Sequence, residues 1–129
     1  MKRFEFFEYG VFLTVIADGA DTSLLISKEP FPKGGDPLPL PLAETDVKFS
    51  PLPAVIRDTG NLTGRAVYIT QNDPAACIEI TTLIQFRKGS ADADIFTELH
   101  NYGLLTVTLG DIPAAAGQRV RILTMKSFT

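Results

Sequence analysis

Residues 77–87 read Cys-Ile-Glu-Ile-Thr-Thr-Leu-Ile-Gln-Phe-Arg, and this stretch decides the fold class. Successive side chains of a strand alternate, so Ile78, Ile80, Thr82, Ile84 and Phe86 share one face and Glu79, Thr81, Leu83 and Gln85 the other. One dry face and one wet face is the pattern of an antiparallel sheet with solvent on one side. A helix would scatter those isoleucines around its circumference.

Strand-like sequence continues outward in both directions. Upstream, Arg65 to Gln71 carries Val67 and Ile69 opposite Tyr68, followed by a turn at Asn72-Asp73-Pro74; Ala54 to Asp58 reads as a short strand and Gly60 to Gly64 as a loop. Downstream, Lys88 to Asp94 is a polar loop, Leu104 to Leu109 a strand, Gly110 to Gln118 a small-residue loop and Arg119 to Phe128 a last strand. Ile95 to Tyr102 has two readings. Asp94 can cap a short helix that Gly103 ends, or the segment is a strand pair turning at Asn101.

Arg3 to Ala17 is apolar on both faces of one long strand, with Phe4, Phe6, Phe12 and Ile16 on one side and Phe7, Tyr9, Val11, Leu13 and Val15 on the other. Gly10 marks a bulge or bend within it, Asp18 to Asp21 a turn, and Thr22 to Lys28 the returning strand of a hairpin. The sum is an all-β antiparallel fold of about seven or eight strands. A sandwich, jelly-roll-like or barrel arrangement is expected, with at most one short helix and residues 1–129 as a single domain.

Seven of the nine prolines lie between Pro30 and Pro53. Proline has no N–H and fixes φ near −65°, so Pro37-Leu38-Pro39-Leu40-Pro41 runs extended. Leu38, Leu40, Leu42, Phe49 and Leu52 each forgo roughly 1.5–3 kcal/mol if left in water rather than fully buried. Residues 30–53 therefore read as an apolar arm that needs a receiving surface on the same molecule, an identical subunit or a partner. Phe4, Phe7 and Tyr9 join Pro37, Leu38, Pro39, Leu40, Pro41, Leu42, Phe49 and Leu52 as the expected interface.

Composition narrows the function classes. The formal net charge is −3, with twelve basic and fifteen acidic residues interspersed, which is not a nucleic-acid footprint. One cysteine precludes an internal disulfide framework, and Met1-Lys2-Arg3 leads into aromatic and acidic residues rather than a signal peptide. Cytoplasmic synthesis follows as the expectation, and the apolar run Val11 to Ala17 is far short of the roughly twenty residues a helical span requires.

Catalytic chemistry lacks a motif. A metal site needs several convergent ligands, whereas the chain has one histidine, His100, and one cysteine, Cys77. Cys77 reads as a buried thiol opening its strand, and His100 as a surface or capping residue. Asp92 and Asp94 form the one tight carboxylate pair, without further oxygen ligands at EF-hand spacing. Neither glycine loop has the phosphate-binding pattern, and no tryptophan offers a sugar platform. No catalytic residue, cofactor or metal is expected.

In general character the whole chain resembles small β-sandwich components of tailed-bacteriophage virions, such as head-decoration or head–tail joining proteins, with their short β-rich domains and extended arms. That resemblance implies copies of itself and a capsid or tail protein as partners, and a place in a virion. The expectation is a non-enzymatic structural protein that self-associates or docks on a larger assembly through residues 30–53. The alternative is a β-domain binding a small apolar ligand or carbohydrate, with the arm as a lid over the N-terminal aromatics.

Overall fold

The computed structural model describes residues 1–40, 43–59, 65–87 and 93–125. These residues form eleven strands and no helix: β1 Lys2–Glu8, β2 Val11–Asp18, β3 Asp21–Ser27, β4 Leu38–Pro39, β5 Val55–Asp58, β6 Ala66–Asp73, β7 Ile78–Phe86, β8 Ala93–Asn101, β9 Val107–Leu109, β10 Ile112–Ala114 and β11 Arg119–Met125. All pairings are antiparallel, in a four-stranded sheet β1-β2-β3-β4, a five-stranded sheet β11-β8-β7-β6-β5 and a ribbon β10-β9, and none of these sheets closes into a barrel.

The alternation in β7 holds, with Ile78, Ile80, Thr82, Ile84 and Phe86 buried. Its neighbours repeat it: β6 turns Val67, Ile69 and Gln71 inward, and β8 turns Ala93, Ile95, Thr97 and Leu99 inward. Two covers meet this inner face. Val11, Leu13 and Val15 of β2 and Leu24 and Ile26 of β3 share one apolar cluster with Val67, Ile69, Ile84, Phe86, Ala93 and Ile95. A second cluster joins Ile78, Ile80 and Leu99 to Val107, Leu109 and Ala114 of the ribbon. Between them the inner positions are polar: Gln71, Thr82 and Thr97. Thr97 and Thr124 share a 2.6 Å hydroxyl–hydroxyl hydrogen bond, whereas the buried Thr82 Oγ1 has no partner among the described residues.

The N-terminal segment departs from the single bent strand expected. Tyr9 and Gly10 both have positive φ, 51° and 81°, which makes them a two-residue turn of the type I′ class, and β1 pairs with β2 as a hairpin. Register then sorts the side chains differently: Phe4 lies beside Val15 and Phe6 beside Leu13 on the core face, while Phe7 pairs with Phe12 on the outer face, ring centroids 4.4 Å apart. Alternation breaks at a turn, and a sequence apolar on both faces does not reveal where.

Of the two readings of residues 95–102, the strand one holds, as a single strand and not a pair turning at Asn101: Ile95, Thr97 and Leu99 are all buried with period two, and β8 hydrogen-bonds between β7 and β11. Other expectations are corrected. The Leu104 to Leu109 strand shortens to β9, and the loop from Gly110 to Gln118 contains β10, because Ile112-Pro113-Ala114 pairs with Val107-Thr108-Leu109. The turn expected at Asn72-Asp73-Pro74 is displaced to residues 74–77, since Asp73 still pairs with Ile78. Cys77, in that turn with φ 57°, is half-exposed rather than buried in a strand. Gly60 to Gly64 and residues 88–92, Asp92 included, lie outside the described residues, as do residues 126–129.

Residues 30–53, where described, are tied to their own chain. Leu38 and Pro39 pair with Leu24 and Ser23, and the Leu40 N–H donates to Thr22 O at 3.0 Å. A Cβ on Gly34 would collide with the Ser27 side chain, so the segment lies directly on β3. Further on, Thr45 bridges Leu109, the Gly110 N–H donates to Glu44 O at 2.8 Å and the Thr108 N–H to Asp46 Oδ1 at 2.8 Å. The exit is held by the Ser50 N–H donating to Asp73 Oδ2 and the Leu52 N–H to Asn72 O, each at 2.8 Å.

One side chain clamps the ends of the two large sheets. Arg65 donates through Nη2 to Asp58 Oδ2 at 2.6 Å and Nε to Asp58 Oδ1 at 3.2 Å beside β5, and through Nη1 to Phe7 O at 3.0 Å on β1. Glu8 lies 3.4 Å away and the guanidinium sits over Phe6. The hydrogen bond with Asp58 raises the Arg65 pKa further, which keeps the guanidinium protonated.

Two stability predictions follow from these contacts. Arg65→Met removes the donor that ties Asp58 to Glu8 and the Phe7 carbonyl and should lower unfolding free energy by about 1–2 kcal/mol. Thr82→Val removes a buried hydroxyl that lacks a partner at nearly constant shape and should raise it by up to about 1 kcal/mol. Urea titration checks both through the midpoint at unchanged slope.

Candidate functional site

Apart from the terminal Met1, the most exposed large apolar side chains among the described residues are Leu104, 95% accessible, and Leu105, 81%, in the loop between β8 and β9. Isolated exposed leucines are ordinary, so the loop's support decides their meaning. Asn101, the last residue of β8 and 1% accessible, supplies it. Its Nδ2 donates to Leu105 O at 2.7 Å and to Ala114 O at 2.9 Å, and its Oδ1 accepts from the Gly103 N–H at 3.0 Å. Its backbone is engaged as well: its N–H donates to Gln118 O at 3.0 Å and its carbonyl accepts from the Gly117 N–H at 2.7 Å.

Asn101 thus joins three peptide segments, the β8–β9 loop, β10 and the turn before β11, at one end of the molecule. The neighbouring Tyr102 is fixed by its N–H donating to Cys77 O at 3.0 Å and its hydroxyl donating to Asn72 Oδ1 at 2.6 Å. Leu104 and Leu105 are presented to water by a loop pinned from beneath, and the half-exposed Tyr102 and Ile112 belong to the same loop and the ribbon it feeds.

A second surface is the outer face of the five-stranded sheet. Register lays Arg57, Tyr68, Leu83 and Phe96 in one row and Val55, Thr70, Thr81, Glu98 and Arg121 in the next. The Arg57 guanidinium stacks 4.7 Å from the Tyr68 ring centre, and Glu98 accepts from Arg121 at 2.8 and 3.1 Å and from Arg119 at 3.4 Å. Apart from Phe96, these residues line a shallow groove of about 450 Å³, together with Glu79 and Arg119. Its charges are largely matched within the face.

The expected interface residues are not brought into one patch. Phe4, Tyr9, Leu40 and Phe49 pack against the apolar clusters. Phe7, Leu38 and Leu52 remain 52%, 41% and 53% accessible, but Phe7 lies on β1 and Leu38 on β4, opposite edges of the four-stranded sheet. Pro37 is half-buried and Pro39 exposed; Pro41 and Leu42 lie outside the described residues. Phe6, Phe7, Phe12 and Phe31 line a groove of only about 170 Å³, below the range of about 300–1,000 Å³ common for small-molecule pockets.

Cys77 and His100 stand diagonally across β7 and β8, yet the thiol donates to Pro74 O at 3.5 Å and the imidazole packs against Tyr102, ring centres 5.7 Å apart. Asp94 is engaged by Arg87 at 3.8 Å. No three His, Cys, Asp or Glu side chains converge as metal ligands among the described residues.

Sequence reasoning missed Leu104, Leu105 and Asn101. The leucines resemble the start of a strand, and Asn101 resembles a turn residue; only tertiary placement makes it a buried clamp. Compared with known proteins, the chain matches no family model, no curated protein and no solved structure.

Asn101→Ala would strand two carbonyls and one N–H at a buried position. It should lower unfolding free energy by about 3 kcal/mol, measured by urea denaturation, and broaden the backbone NMR resonances of residues 102–106.

Proposed function

We propose that this chain is a non-enzymatic assembly module that self-associates, and docks on a larger protein assembly, through the rigidly held apolar loop at Leu104 and Leu105. The observation that carries this reading is the buried Asn101 spending two side-chain hydrogen bonds on a loop that leaves two leucines in water, with a third to Ala114 O of β10 fixing that loop to the ribbon. A loop without a partner gains nothing from that exposure. Against a second surface, each leucine would recover roughly 1.5–3 kcal/mol on full burial, and a preformed loop loses little entropy when it docks.

This reading moves the point of contact from the proline segment to the β8–β9 loop. Residues 30–53 serve inside the molecule, as a strap from the four-stranded sheet across the ribbon to β5. The body is read as a sandwich-like pair of sheets, and the resemblance to virion components is kept as the class of assembly that such a module suits.

Leu104→Asp with Leu105→Asp tests it. Surface changes of this kind usually shift stability by about 0.5 kcal/mol or less, so the variant should fold as well as the parent. Light scattering across a concentration series should show the parent growing in mass while the variant stays at 14 kDa. A parent that remains monomeric at every concentration, or a variant that associates like the parent, contradicts the proposal.

A further inference from the structure

The sheets end in strands with one unpaired side, and these edges are closed to different degrees. β4 is two residues long, β9 and β10 three each and β5 four, too short to offer much backbone. β1 has seven residues, but Arg65 already donates to Phe7 O on it. β11 also has seven, contains no proline, and no backbone hydrogen bond among the described residues reaches its outer side. The Asn101 N–H donating to Gln118 O fixes the phase of the β8–β11 ladder. Val120 and Ile122 therefore direct their backbone groups to β8, while Arg119 and Arg121 point their N–H and C=O groups away from the sheet. Such an edge is a template for another strand.

The side chains along β11 decide what can pair there. Arg119 and Arg121 lie on the outer face and share one carboxylate, Glu98, at 3.4 and 2.8 Å, which leaves one positive charge over at the edge. The next carboxylate on this face, Glu79, stands on β7, two strands in, and bonds neither arginine. On the inner face Val120 and Ile122 are only partly buried against the second apolar cluster, so a further strand would cover them. Arginines on an edge ordinarily discourage pairing, but an acidic residue directly opposite is stabilised by them. We propose that β11 adds an extended segment of a partner protein to the sheet, with acidic residues beside Arg119 and Arg121 and apolar residues beside Val120 and Ile122. Main-chain hydrogen bonds supply the affinity of such strand addition, and the alternation of side chains its selectivity. The inference does not rest on the docking reading, since Leu104 and Leu105 lie in the β8–β9 loop and not on this edge.

NMR titration of the whole chain with the peptide acetyl-Thr-Val-Asp-Val-Glu-Val-Thr-amide tests it, with the same peptide carrying lysine in place of both acids as the control. Saturable shifts and slowed amide exchange are expected at Arg119 and Arg121. The lysine peptide should bind about tenfold more weakly, the scale of one charge-assisted contact. Arg121→Pro removes an outward N–H and one charge without touching the β8–β11 ladder, and it should abolish binding. Arg119→Gln with Arg121→Gln, both at exposed positions, keeps the backbone and should bring the two peptides to equal affinity. Shifts that fail to saturate or that miss β11, equal affinity of the parent for the two peptides, or a glutamine variant that still prefers the acidic one would overturn the proposal. Protection at Arg119 and Arg121 that grows with the protein's own concentration would assign the edge to a second copy and overturn it as well.

Discussion

Everything else in this molecule answers to the inner face of the five-stranded sheet. Five antiparallel strands with period-two alternation produce one continuous dry face, and no single partner element covers it. The β2–β3 hairpin closes the half built on Val67, Ile69, Ile84 and Ile95, and the β9–β10 ribbon closes the half built on Ile78, Ile80 and Leu99. The proline segment bridges the two covers. Its lack of donors is tolerable because it runs along an edge and directs N–H groups that it keeps, among them those of Leu40, Ser50 and Leu52, to neighbouring chain.

Dividing the core leaves polar residues on the inner face: Thr82 pairs with Thr97 across β7 and β8, and Gln71 lies diagonally from Thr82 on β6. A fully apolar face would be more stable, because Thr82 and Gln71 each bury a polar atom that lacks a partner among the described residues. Gln71 also lines the half-open cleft bordered by Leu40 and Phe49. At the other end of β8, Asn101 is equally buried but fully engaged, and there the same residue class organises three loops.

The strongest alternation was legible in the residues: β6 and β7, the turn at Asp18 to Asp21 and the hairpin return through β3 need only period two and turn chemistry. What escaped has physical reasons. Tyr9 at positive φ is an uncommon turn residue, so the β1–β2 hairpin hid within a run apolar on both faces. Asp94 and Gly103 imitate helix caps around a strand whose true signal, Ile95-Thr97-Leu99, is diluted by Phe96. Leu40, Phe49, Phe4 and Tyr9 looked like interface because their apolar surplus was plain, but their partners are distant in sequence. Leu104 and Leu105 looked like core for the same reason in reverse. Burial depends on which covers the fold supplies, and local pattern does not contain that.

Amide hydrogen exchange measured at low and high protein concentration tests most directly the proposal that the β8–β9 loop meets a second copy. The account predicts protection that grows with concentration at residues 102–106 and leaves 37–52 unchanged. Growth confined to 37–52, or no change anywhere along the chain, would contradict it.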